Sequence, residues 1–334
     1  MQGPDEQQES GVAHPLAPYR SPAQRDAQAR SLTERAAGEV HLIGHSVQGR
    51  PLLACELKSS RADAPAVLVC ANIHGVEFIA AEVALAVLES ASRADSMFAR
   101  LRERADIWVI PSLNPDGYAR TWAAGGHGAL HELRRNANGV DLNRNFPKPR
   151  STRSVWFDFN GWRTGSDNPD NPFFRGVGPA SEPETAALVA LHQRIDFHAS
   201  ANLHSTMGTV IPPCLIDRQT YRIYGDLSRA FRGGQARWRY RRMANQWFDR
   251  FTGEQEDFQH HLHGTWAVCI EHYPLWVNPW RLLRRGAIFW RFNPMDPQIW
   301  VDNDLPGLAA YFNAALDLAR PHPRECPDSA RPSR

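Results

Sequence analysis

The chain has 334 residues, with 38 Lys plus Arg against 36 Asp plus Glu and a formal net charge of +2. An apolar share of 42% and a charged share of 22% are those of an ordinary globular protein, which excludes a disordered, collagen-like or disulfide-stapled chain. A charge so near balance gives no general attraction to nucleic acid or an anionic membrane, and the length accommodates one or two domains.

The N-terminal stretch MQGPDEQQES lacks the basic start and apolar core of a signal peptide, and no apolar run is long enough to span a bilayer. The expectation is a soluble, cytoplasmic protein. Cys55, Cys70, Cys214, Cys269 and Cys326 are odd in number and widely spaced, which reads as reduced thiols in the same compartment. Residues 1–39 are polar and are read as an N-terminal extension, with a surface helix possible over 23–39. Short apolar runs at 40–43, 52–57 and 66–70 then predict strands, 77–91 predicts a helix whose apolar face packs on a sheet, and 107–110 predicts another strand. This alternation is the pattern of an α/β fold. Asn114 to Gly117, in the string NPDGY, reads as a turn. The Pro-, Gly-, Asn- and Trp-rich stretch 148–179 reads as a long surface loop region.

Farther along, Ser181, followed by Glu182, Pro183 and Glu184, is placed to cap a helix running to about residue 195, with Glu184 at the capping-box offset. Strands over 201–204 and 267–271 and a closing helix over 305–320 complete the pattern, leaving 321–334 as a tail. The economical reading is one domain over 40–320 behind the polar extension.

Chemistry concentrates where the predicted strands end. The string CANIHGVE places His74 and Glu77 just past one strand, and NLHS places His204 at the end of another. Two imidazoles and a carboxylate at the carboxyl edge of an α/β sheet can share one zinc ion and leave a position for water. HxxE alone reads more readily as a surface histidine beside a helix-N-terminal glutamate; the third site shifts that balance. Glu271 closes the apolar strand AVCIE, where burying a carboxyl is costly without a role, and a general base is a suitable one. In LRRNANGVDLNRNFP, Arg134, Asn143 and Arg144 are clustered donors suited to a carboxylate.

Other strings carry less. His131 and Glu132 begin an HExxH-like string, but Arg135 occupies the place of its second histidine. His260, His261 and His263 read as surface histidines, with an adventitious metal site as the alternative. His127 and His131 flank a glycine-rich loop that can line a cleft. The arginine-rich segment 218–250 reads as a solvated helix or loop paired with acidic neighbours. Its interleaved Trp238 and Tyr240 leave two other readings: a nucleic-acid-binding surface, disfavoured by the charge balance, or a cleft edge that favours anionic peptides.

Taken together, LIGHSVQGRPL, HGVE, NPDGY, GVDLNRNFP, GPASEPET, NLHS and CIE occur in the order found in the M14, or carboxypeptidase A-like, zinc carboxypeptidases, and the chain resembles that family from about residue 40 to 320. The resemblance implies a single-domain α/β fold with a twisted, mixed, eight-stranded sheet and helices on both faces. It implies one zinc ion held by His74, Glu77 and His204, with Glu271 as general base and Arg134 polarising the scissile carbonyl. Asn143 and Arg144 would bind the terminal carboxylate of a peptide or peptide-like substrate. The implied activity is a metallocarboxypeptidase; an amidase of γ-linked cell-wall peptides and a deacylase of N-acyl amino acids are the alternatives. Two departures stand out. Val76 occupies the place of an arginine found in many members, and the family's mobile tyrosine has no clear counterpart near Trp247, Phe248 and Asp249, Tyr240 being a nearby tyrosine.

Overall fold

The computed structural model describes residues 13–149, 165–215, 217–244, 251–277 and 286–323. Its strands are β1 (Glu39–His45), β2 (Pro51–Leu57), β3 (Ala66–Ala71), β4 (Asp106–Ile110), β5 (Phe197–Ser205), β6 (Thr209–Ile211), β7 (Arg241–Arg242) and β8 (Trp266–His272). They form one eight-stranded sheet in the order β1-β2-β4-β3-β5-β8-β6-β7. The central β4, β3, β5 and β8 run parallel, with antiparallel pairings at β1/β2, β2/β4 and β6/β8. The helices are α1 (Pro22–Arg35), α2 (Phe78–Ala91), α3 (Met97–Arg102), α4 (Pro115–Ala123), α5 (Leu130–Arg134), α6 (Pro183–Arg194), α7 (Arg218–Gly234), α8 (Gln255–His263), α9 (Phe289–Phe292) and α10 (Pro297–Leu316). This is the single-domain mixed sheet with flanking helices that the motifs implied.

The central strands are apolar along their whole length because both faces are covered. Along β3, Val67, Val69 and Ala71 join one core with residues of α2, α7 and α10, whereas Leu68 and Cys70 join a second core with Leu188 and Leu191 of α6 and Phe258 of α8. From β3 the chain crosses to β4 on one side, while β5 lies on the other. Connections therefore diverge at the carboxyl end of β3, where such sheets open a crevice.

Several local expectations are corrected. Ser181 does not cap α6: Glu182 is the N-cap and makes no side-chain cap bond, and the Ser181 hydroxyl bonds Glu182 Oε1 and Asn145 instead. The Asn114 string begins α4, with the Asn114 side chain accepting from Gly117 N–H as a cap. The closing helix starts earlier than expected, at Pro297. His260 and His261 are buried, not surface residues: His260 Nδ1 lies 2.9 Å from the Tyr224 hydroxyl, and His261 Nε2 bonds the Cys214 carbonyl at 2.9 Å. Of the exposed α7 arginines, Arg229 pairs with Asp226; Arg218, Arg222 and Arg232 have no ion-pair partner among the described residues.

The segment set apart as a polar extension packs into the domain from Leu16 onward. Leu16, Tyr19, Ala29 and Leu32 lie in the same core as α2 and α10, because the polar positions of α1 face outward while a few apolar ones suffice to seat it. Cys55, Cys70, Cys214 and Cys269 are buried and form no disulfide with one another; Cys326, Trp247, Phe248 and Asp249 lie outside the described residues. No helix among the described residues is long and apolar enough to cross a membrane.

Candidate functional site

The loop after β3 is shaped by its own side chains. Asn72, in the left-handed region at φ +54, donates from Nδ2 to the carbonyls of His74 and Glu77 at 2.9 and 3.2 Å, and its Oδ1 accepts from Ser112 at 2.7 Å. Gly75 permits the loop to touch α4: a Cβ there would lie 2.4 Å from the Gly117 backbone. Glu77 is the N-cap of α2 but makes no side-chain cap bond; its carboxylate is turned toward the histidines.

His74, Glu77 and His204 are each 2% exposed or less. His74 Nδ1 lies 3.0 Å from Glu77 Oε1, His204 Nδ1 lies 3.2 Å from Glu77 Oε2, and the two Nδ1 atoms are 3.2 Å apart. Zinc–nitrogen bonds of about 2.0–2.1 Å at the tetrahedral angle separate neighbouring donors by about 3.3 Å. The set of two imidazoles and a carboxylate therefore fits a zinc ion in both chemistry and spacing. Burial opposes ionisation of Glu77, but the adjacent His74 and His204 outweigh it and hold the carboxyl well below its usual range. Burial lowers His204, keeping its imidazole neutral and able to coordinate.

Asp141 is the residue that sequence reasoning missed. It is fully buried, lies 3.2 Å from His74 Nε2 through Oδ1, and accepts from Arg134 Nε at 3.1 Å through Oδ2. Burial raises its carboxyl, but Arg134 and then His74 pull it well below the ordinary value. Its signal was present in the string GVDLNRNFP, an acid set among donors. Arg134 ends α5, is 18% exposed, and approaches Glu77 Oε1 at 4.0 Å. Asp141 also caps the single turn Leu142–Arg144, tying Asn143 and Arg144 to the same carboxylate. Asn143 Oδ1 accepts from Gln255 N–H at 2.9 Å, which leaves its amide nitrogen as the donor. Arg144 is 11% exposed and pairs with Glu254 at 3.0 Å.

Glu271 pairs in register with His204 on the adjacent strand, so the two side chains share a face of the sheet. The residue is half-buried, and its Oε2 is buried with no hydrogen-bond partner among the described residues. Burial, then the charge of Glu77, pushes it up to about 8. A second buried carboxyl, Glu256, is likewise raised to about 8 by burial and by Glu254. Val76 is fully buried, so that position presents nothing to the cleft, and Tyr240 is buried behind β8. His127 is exposed and His131 half-buried; neither joins the site.

The zinc carboxypeptidase family model matches residues 29–273. The carboxypeptidase N catalytic chain of Rattus norvegicus is 33% identical over 171 residues, covering 48% of this chain and 36% of that protein. Carboxypeptidase E of Caenorhabditis elegans is 30% identical over 206 residues, covering 56% and 41% respectively. The matches thus span well under half the length of these relatives. Among solved structures, carboxypeptidase A from Helicoverpa armigera aligns with a TM-score of 0.68 at 18% identity, over 90% of this chain and 74% of that one. A metallo-carboxypeptidase from Burkholderia cenocepacia aligns with a TM-score of 0.63 at 16% identity, over 90% and 70%. These structural likenesses concern the fold.

Proposed function

The chain belongs to the zinc carboxypeptidase family, and on that premise we propose that it hydrolyses the amide bond next to a free carboxylate in a peptide or peptide-like substrate. The observation that carries this reading is the triangle of His74, Glu77 and His204 with Glu271 in register beside His204. Those three residues would hold a zinc ion, which would supply Lewis acidity toward water and a carbonyl. Glu271, in register beside His204, takes the proton from the attacking water and returns it to the leaving nitrogen. Arg134, fixed by Asp141, presents its guanidinium to the developing oxyanion. Arg144 and Asn143 hold the terminal carboxylate, which restricts cleavage to the last bond.

Glu256 supports a preference for a cationic terminal side chain. Its carboxyl is buried near both Arg144 and Glu271, with Oε2 unpartnered among the described residues, so an incoming ammonium or guanidinium favours its ionised form. Cytoplasmic location remains the expectation from the reduced thiols, and binding of nucleic acid or membrane is not part of this reading.

Mass spectrometry of products from peptides with free and amidated ends, γ-linked cell-wall fragments and N-acyl amino acids tests the proposal. Single-residue release from free ends, faster for Lys or Arg than for Phe, is expected. Cleavage confined to γ-linked fragments or to N-acyl amino acids would replace it with the amidase or the deacylase reading.

A further inference from the structure

Strand β8 alternates faces, so Glu271 points to the cleft while the next residue, His272, points to the opposite side, toward α10. There His272, fully buried, donates from Nδ1 to Oδ2 of Asp304 at 2.6 Å. Asp304 is also fully buried. The Tyr240 hydroxyl donates to the same oxygen at 2.6 Å, while Gln235 and Asn303 amides donate to Oδ1, each at 2.7 Å. The Tyr240 oxygen in turn accepts the Tyr273 N–H at 3.2 Å.

Tyr273 has φ +57, a left-handed conformation that a bulky aromatic residue adopts only when its surroundings impose it. Its carbonyl accepts from Thr206 Oγ1 at 3.0 Å, and Thr206 lies two residues past His204. The backbone of Tyr273 is thereby held on both sides, by the Asp304 cluster and by the segment that follows His204. A set of buried polar groups costs desolvation that an apolar core would avoid; here it fastens the end of β8, where a strand would otherwise fray.

We infer that Asp304, acting through His272, Tyr240 and Tyr273, is a positioning residue that fixes the Glu271 carboxylate relative to the proposed metal ligands. The inference rests on the proposed role of Glu271. Displacing a reacting group by an ångström costs up to about 100-fold in rate, whereas substrate and metal contacts made elsewhere are untouched.

The test measures steady-state kinetics on an N-blocked dipeptide with a free carboxylate, zinc content, and crystal structures. Tyr240→Phe and Asp304→Asn are expected to lower kcat about 10- to 100-fold with KM and zinc content nearly unchanged. His272→Asn, whose amide nitrogen replaces Nδ1, is expected to retain most of the turnover that His272→Leu loses. Tyr311→Phe is the control, because it removes an equally buried hydroxyl that bonds the carbonyls of Ser200 and Trp266 nearer the other ends of β5 and β8; it should lower Tm but not kcat. In the crystal structure of Tyr240→Phe, Tyr273 should leave the left-handed region and the Glu271 carboxylate should shift. An unchanged Glu271 and Tyr273 in that structure overturns the inference even if no peptide is cleaved, as does equal loss of kcat in the Tyr311→Phe control. A wild-type protein that cleaves no dipeptide overturns the proposed function instead.

Discussion

Glu271 and Glu77 show how one environment sets two carboxyls apart. Both are largely buried, yet the imidazoles beside Glu77 keep it ionised, while burial and the charge of Glu77 raise Glu271 to about 8 against the opposing pull of Arg134. Glu271→Gln is therefore expected to bind zinc normally and lose about 10²- to 10⁴-fold in kcat, read by metal analysis beside turnover. His204→Ala should fail to retain zinc on dialysis, because two donors remain where three converged. Asp141→Asn should weaken zinc affinity about 10- to 100-fold, since it loosens the orientation of His74; competition against a chelator measures it, and unchanged affinity contradicts that role. His74, Glu77, His204 and Glu271 were legible in the sequence because each lies at, or a few residues past, the carboxyl end of an apolar strand. Asp141 and Asp304 were not: nothing in a lone aspartate shows that the fold will carry it under a histidine from a distant strand.

Elements were legible in proportion to their length and periodicity. Helix α2 and strands β3, β5 and β8 are apolar runs with clear ends, whereas β6 and β7 have three and two residues, β6 pairing on the edge of β8 and β7 on that of β6. Helix α8 reads as polar, but it is wedged against β5 and β8, and burial makes its histidines structural. His263, depressed by burial to about 4, and His192, which burial holds far below its usual value and which stacks on Phe258, face each other between α8 and α6. In the unfolded chain both titrate near about 6.5. Between that value and about 4 the unfolded state binds protons that the folded state refuses, so stability should fall as pH falls through this window. The Tm of metal-stripped protein from pH 7 to 4.5 should drop, and His192→Phe with His263→Gln should flatten the drop. A slope unchanged in the double variant contradicts this assignment.

At the scale of the molecule, one sheet and two cores account for the described residues, and the N-terminal segment belongs to them. Removal of residues 1–37 should expose the surfaces of α2 and α4 that Leu16, Tyr19 and Leu32 cover and should lower Tm by several degrees or prevent folding; a truncated protein as stable as the full chain would contradict this. Polarity hid the segment's role because a few apolar side chains are enough to seat it. The +2 net charge was similarly uninformative, since the α7 arginines lie on an outer surface while Arg134 and Arg144 are committed to the cleft. The proposed chemistry is tested most directly by exposing one peptide, prepared as the free acid and as the C-terminal amide, to the zinc-loaded and the chelator-stripped protein and weighing the products. Loss of a single terminal residue from the free acid alone, only with zinc, is the result expected; cleavage of the amide at the same rate, or turnover that persists without metal, would contradict it.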